Sequence, residues 1–274
     1  MPEKCLLCED SLEGILTGVY EAYRCHFVPQ QTRLQCGEVD NYRLFTEYIS
    51  IETEAEKAKK VMRTLRERMG EETFQAICRA ASSADSRKAD AIYHTIVKGL
   101  LSRRPSQIMG DLADDAVRTV FELSRNVLNE AHHFKEFLRF EELENGVLFA
   151  RIGAVNDIVV YLAPHFADRL PGENFMIYDE KHELLVIHPA GKEWYVQRLW
   201  REKENSCGDS SRDRNGEPFI ARESLVYSDR EKEYQELFRY FCHKIAIESR
   251  RNERLQQQML PLRFQSYMPE FQQK

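Results

Sequence analysis

The sequence predicts an α+β protein, helical over about residues 1–136 and then built on a small, mainly antiparallel sheet with packed helices. Two observations predict it: apolar residues recur at three- and four-residue spacing through the first half, and the period shortens toward two from Phe137 onward. Composition is the third. With 42% hydrophobic and 31% charged residues, the 274-residue chain can bury a sizeable core and lacks the apolar depletion of disordered proteins. The expectation is one compact α+β unit over 1–274, its helical part about 1–136 and its sheet-containing part about 137–274.

Ser11 can cap a helix in which Leu12, Ile15, Leu16, Val19, Tyr20 and Tyr23 share one face. YISI (48–51) reads as a short strand. Thr53 and Glu56 then have capping-box spacing, Val61, Met62, Leu65 and Met69 continue an apolar stripe, and Gly70 supplies a stop. Further helical patterns occupy about 71–81, 87–101 and 112–136, the last with Val117, Val120, Phe121, Val127, Leu128 and Phe134 inward. FLRFEELENGVLFARI (137–152) is a hairpin about Asn145-Gly146, a dipeptide that takes positive φ easily. NDIVVYLAPHFADRL (156–170) places Val159, Leu162 and Phe166 on one helical face, with Pro164 early enough to bend it, although its β-branched start also permits a strand. FMIYDEKHELLVIHPAGKEWYVQRL (175–199) reads as three short strands, and 201–228 as a polar surface excursion. Ser228 and Glu231 repeat the capping-box spacing before a helix with Tyr234, Leu237, Phe238, Phe241 and Ile245 on its inner face.

The net charge of −6 would repel nucleic acid, so binding to a polyanion needs a local basic patch. From Ala246 onward five Lys or Arg residues face three acids, a mild reversal of sign. No apolar run has the length of a membrane span, and acids interrupt the N-terminus where a signal peptide needs a continuous apolar stretch, so a cytoplasmic protein with no membrane partner is expected. The odd count of seven cysteines fits reduced thiols better than a disulfide framework.

Cys5 and Cys8 form a lone CxxC, which supplies only two of the four ligands of a zinc site, so neither metal nor cofactor is expected. The G-x-S-x-G, Walker and H-E-x-x-H signatures do not occur in the sequence. His165 and Arg169, four apart, share a helix face with Phe166 turned to the core and Asp168 beside them. Such a pair can bind phosphate or move a proton, or it can be a surface ion-pairing couple. In the tail, arginines mix with Phe264, Tyr267 and Phe271. That combination grips single-stranded nucleic acid in some proteins and closes a core in others. If 247–258 is helical, Arg250 and Arg254 share a face while Arg251 points elsewhere.

SLEGILTGVYEAY (11–23), FLRFEELENGVLFARI (137–152), APHFADR (163–169), MIYDEKHELLVIH (176–188), EYQELFRYFCHKIAIESRRN (233–252) and LQQQMLP (255–261) together resemble successive blocks of a bacterial family, domain of unknown function 4130, described as DNA metabolism or DNA repair proteins. The resemblance is collinear over nearly the whole chain and strongest from Phe137 to Phe271. Its pattern falls on Arg139, Phe140, Gly146, His165, Phe166, Arg169, Tyr178, Asp179, Arg250, Asn252, Gln256 and Pro261. Cys8-Glu9-Asp10-Ser11 departs from it, standing where the family has an aromatic-Asp-Gly-Ser-like turn. The family's genes accompany a radical SAM protein similar to spore photoproduct lyase, and some members are fused to a uracil-DNA-glycosylase-like domain, a fusion not expected here.

The resemblance therefore implies an accessory protein of DNA repair or DNA metabolism that binds DNA, a radical SAM protein, or both. Arg139, His165, Arg169, Arg250, Asn252 and Arg254 would face nucleic acid or partner. It assigns no reaction. Two alternatives stand beside it: a DNA-processing hydrolase or lyase with His165 as general acid or base, and a purely protein-binding module.

Overall fold

The computed structural model describes residues 3–37, 39, 41–199, 220, 225–245, 252, 254–255, 257, 260–268 and 271, and the fold is α+β. Contacts divide the chain into two compact units, Met1–Asn129 and Glu130–Lys274.

The first unit opens on a strand that the helical period did not mark. LLC in β1 (Glu3–Cys8) is flanked by charge and is too short to display a period of two, yet Leu6 is wholly buried because β1 is the centre of a sheet. β2 (Thr32–Cys36) and β3 (Thr46–Ser50) pair with it on either side, both parallel, in the order β2-β1-β3. The helical first half thus carries a three-stranded parallel sheet, of which only β3 was legible as YISI. α1 (Leu12–Arg24) follows β1, and the Ser11 side chain accepts a hydrogen bond from the Gly14 amide at 2.9 Å as its cap. Ile15, Leu16 and Val19 are buried as the spacing requires, whereas Tyr23 at the last turn stands in solvent.

α2 (Ala55–Ala81) corrects the capping expectation. Its cap residue is Glu54 with no side-chain bond, because the Thr53 hydroxyl is drawn away to donate to Glu9 at 2.7 Å. Gly70 does end a helical segment: at φ +83° it breaks α2 into two pieces that run on with hardly a gap. α3 (Lys88–Leu101) and α4 (Asp115–Phe137) complete the helices of this half, and the division between units falls inside α4. Val117, Val120, Val127 and Phe134 of α4 are buried, but Phe121 and Leu128, at the margin of its apolar stripe, remain exposed.

Cys5 and Cys8 lie three apart on a strand, so they leave opposite faces of the sheet and cannot meet at one ion. Burial, with the neighbouring Cys36 and Cys5 sulfurs, pushes the Cys8 thiol up to about 12, so it behaves as a packing group and not as a nucleophile. Cys8 sits where α1 crosses β1, and a methyl group added at Gly18 would strike its sulfur.

In the second unit the expected hairpin forms between β4 (Glu141–Glu142) and β5 (Leu148–Ile152), with Gly146 at φ +76° in the turn. β5 then pairs in parallel with β6 (Phe175–Asp179) through the crossover helix α5 (Val159–Arg169), which accommodates Pro164 at its midpoint. β7 (Leu184–His188) and β8 (Tyr195–Arg198) add antiparallel strands, giving the order β4-β5-β6-β7-β8. Residues 201–219 and 221–224 of the polar stretch lie outside the described residues. α6 (Asp229–Ile245) is capped by Ser228, whose hydroxyl accepts from the Glu231 amide at 3.0 Å. Its apolar face contradicts expectation: Tyr234, Leu237, Phe241 and Ile245 are exposed, because the helix docks on β4 through Gln235 and Glu141 instead.

Gly18→Ala is expected to destabilise the first unit by about 1–3 kcal/mol through overpacking. In a Cys8→Ala background the same change should cost far less, since the sulfur it strikes is gone. Urea unfolding of the four-member cycle measures this, and equal costs in both backgrounds would show that the close approach is not the cause.

A candidate anion-binding cleft

Three side chains with fixed positive charge meet where two helices of the second unit end. Lys135 stands in the last turn of α4, Arg139 two residues beyond it, and Arg169 closes α5. They line a cleft of about 300 Å³ with Glu136, Leu138, Phe140, Leu148, Phe166 and Leu170. The aromatic part is ordered by edge contacts: Phe140 lies 5.2 Å from Phe166 and 5.5 Å from Phe175, ring centre to ring centre. The cleft is therefore lined by apolar and aromatic side chains together with three cations.

Cations at a helix C-terminus also have a local purpose, since each terminus acts like about half a negative charge. Arg139 uses part of its guanidinium in this way, its Nη1 lying 3.4 Å from the Glu136 carbonyl oxygen and 3.3 Å from that of Leu138. Two helix ends contribute roughly one negative charge between them, and Glu136 a second that is shared with His132 Nε2 at 3.1 Å. Among the described residues neither Lys135 nor Arg169 forms an ion pair, so these two cations are the ones disposed to meet an anion.

His165 does not line the cleft but lies within its field. Burial, followed by the charges of Lys135 and Arg169 and opposed by Asp168, lowers its pKa, so the imidazole is neutral at pH 7. It rests edge-on to Phe166 at 5.0 Å. A neutral imidazole beside a cationic cleft can accept a hydrogen bond or a proton. The structure thus gathers Arg139 and Arg169 at one cleft with His165 beside it. Asn252 and Arg254 are exposed and do not line it, the Asn252 side-chain carbonyl oxygen accepting from the Leu255 amide at 3.0 Å. Arg250, with Gln256, lies outside the described residues.

Lys135 has no sequence signal that ties it to Arg139, because Arg139 lies beyond the end of α4 and the two meet only through the fold. Two polar networks had no sequence signal. Glu130, 5% exposed, accepts from the Val155 amide at 2.9 Å and the Asn156 amide at 3.0 Å, and Arg263 approaches it at 3.5 Å. Asp179, at the end of β6 and fully buried, lies 2.7 Å from His182 Nδ1. Burial alone would lower the His182 pKa, but the bond to Asp179 and the charges of Asp179 and Asp157 outweigh it and raise it. The tail aromatics belong to the fold: Phe264 is 1% exposed against Phe134 at 4.8 Å, and the Tyr267 hydroxyl donates to Glu180. Among the described residues no three His, Cys, Asp or Glu side chains gather in an arrangement able to hold a metal ion, and no helix is long and apolar enough to cross a membrane.

Fold and site together define an α+β protein with a cleft lined by cationic and aromatic side chains. The model of the family described as domain of unknown function DUF4130 matches residues 86–270, more than half of the chain, and the chain belongs to that family. The block at 11–23 lies before the matched range. No curated protein matches the chain. Among solved structures it is similar to a DHH domain described as a member of a family of ribosomal proteins, at 9% identity and a TM-score of 0.31, covering 68% of this chain and 73% of that one.

The raised pKa of His182 gives the second unit a pH-dependent component of stability. The component is fully present below the ordinary histidine value of about 6.5 and is lost as pH rises through the higher folded-state value. Thermal melts of the wild type and His182→Gln should differ more at about pH 6 than at about pH 9. A gap that is constant with pH would show that the Asp179–His182 contact does not depend on the imidazolium.

Proposed function

We propose that the protein is an accessory factor of DNA repair or DNA metabolism that holds nucleic-acid phosphate at the Lys135, Arg139 and Arg169 cleft and works with a radical SAM partner. The observation that carries the first part is that Lys135 and Arg169, without ion pairs among the described residues, share a cleft with Arg139, Phe140 and Phe166 on a chain whose net charge is −6. Phosphate contacts supply affinity and aromatic faces accept bases, a pairing suited to single strands. The resemblance described above supports the pathway and the radical SAM partner.

The neutral state of His165 favours a second reading, a DNA-processing hydrolase or lyase. The imidazole would act as general base or acid, with Arg139 and Arg169 on phosphate oxygens. The two readings share the cleft and differ in what His165 does.

Fluorescence anisotropy with single-stranded, duplex and UV-damaged oligonucleotides separates them. Under the binding reading, Arg139→Ala/Arg169→Ala should weaken association by at least about tenfold and flatten the slope of log K against log salt by about 1.4–1.8, the loss of two phosphate contacts. Absence of binding by the wild type at about 50 mM salt would sink it. His165→Ala should leave binding nearly intact, and loss of oligonucleotide turnover in that folded variant would select the enzyme. Gel filtration with a radical SAM protein of the kind the resemblance implies tests the partner, a joint peak being the expected result.

A further inference from the structure

α6 presents an apolar stripe that the described residues of the second unit leave exposed. Tyr234, Leu237, Phe241 and Ile245 follow a spacing of three, four and four, which at about 100° per residue keeps them within a sector of about 80°. They are 65%, 63%, 54% and 59% exposed. The side of α6 that meets the sheet is a different one: Gln235 donates to Glu141 at 3.1 Å and to Glu231 at 2.8 Å, and Phe238 is only half-buried. A stripe of four large apolar side chains on one helix exceeds the scattered apolar exposure that ordinary surfaces carry.

The pattern is symmetric about its own midpoint. Positions 234 and 245, 237 and 241, and 233 and 244 each straddle a point close to residue 239. The charges are antisymmetric about the same point. Residues 229–236 hold four acids against two bases, whereas 237–245 hold Arg239 and Lys244 with no acid. Glu233 and Lys244 fall on one flank of the stripe at opposite ends of the helix, and Lys244 Nζ lies over the Tyr240 ring at 5.4 Å on that flank.

We infer that this face pairs with the same face of a second copy of the chain, the two α6 helices running antiparallel about a two-fold axis near residue 239. In that arrangement Tyr234 meets Ile245 of the other copy, Leu237 meets Phe241, and Glu233 comes opposite Lys244 twice. A parallel pairing would set acid against acid and base against base. An isologous two-fold contact requires a surface complementary to itself, and the palindromic stripe with its reversed charges meets that requirement. A partner of different sequence would not require the symmetry.

Size sets the expected strength. At about 150–250 Å² per large side chain, four that are more than half exposed offer on the order of 400–500 Å² per copy. A standard stable interface buries about 800 Å² per partner, so the dimer should be weak, with a dissociation constant in the micromolar range, and dependent on concentration.

Sedimentation equilibrium of the full chain from about 1 to 100 µM tests it. The wild type is expected to shift from monomer to dimer across that range, and Phe241→Glu to remain monomeric. Glu233→Lys alone and Lys244→Glu alone should each weaken association about tenfold by turning two attractions into two repulsions. The double exchange Glu233→Lys/Lys244→Glu should restore it, because these substitutions lie on an exposed flank and re-create the pair in reverse. A wild type that stays monomeric throughout, or a dimer indifferent to Phe241→Glu, overturns the inference. So does a dimer weakened equally by the single and double charge exchanges.

Discussion

The buried carboxylate of Glu130 is the constraint on which the geometry of the cleft depends. A charge this far from solvent costs several kcal/mol unless its lone pairs are occupied, and here backbone amides 155 and 156 and the Asn156 side chain occupy them. Those amides open the turn that leads into α5. One side chain on α4 thereby fixes where α5 begins, and α5 carries Phe166 and Arg169 to the cleft that Lys135 and Arg139 reach from the end of α4. The approach of Arg263 brings the C-terminal segment to the same carboxylate. Removing the carboxylate would therefore release the backbone of the α5 entry and the last turn of the chain together, whereas removing a cleft arginine would leave the frame intact.

The cleft is an example of local charge prevailing over global charge. At physiological salt the field of exposed charges decays over about 8 Å, so a net charge of −6 spread over the whole surface is felt weakly by a ligand seated among three cations. The two helix C-termini explain why the cations are there at all and also limit their effect. Each neutralises part of its own helix end before it attracts anything else, and Arg139 leans on the Glu136 and Leu138 carbonyl oxygens. A single cation at such a site would be a cap and nothing more.

How far the sequence could be read follows from what a pattern encodes. The hairpin at Asn145-Gly146, the crossover helix α5 and strands β6, β7 and β8 were legible because turn chemistry and period act over a few residues. β1 was not, since a short strand at the centre of a parallel sheet is flanked by the residues of its loops and shows no alternation, and β2, at the edge of that sheet, alternates over only five residues. Thr53 and Glu56 had the spacing of a capping box, but the threonine found a better acceptor in Glu9, a residue 44 positions away that local reading cannot see. For the cleft, the pairing of His165 with Arg169 was legible from helical spacing. That Lys135 and Arg139 face Arg169 depends on where two helices end relative to one sheet, which is tertiary information.

The tail shows the same limit from the other side. Arginines interleaved with Phe264 and Tyr267 have the composition of a nucleic-acid grip, and composition cannot distinguish a base from a phenyl ring as the partner of an aromatic side chain. What distinguishes them is what the fold already supplies. Phe264 enters a group formed by His133, Phe134 and Phe137, with ring centres between 4.8 and 5.8 Å away. Tyr267 spends its hydroxyl on Glu180, and burial with that carboxylate beside it raises the phenol pKa further. Arg263 has Glu130. Phe264 through its apolar surface, and Tyr267 through its hydroxyl as well, are thus engaged inside the unit and act as a clasp, whereas Arg263, its side chain still 49% exposed, only leans on Glu130.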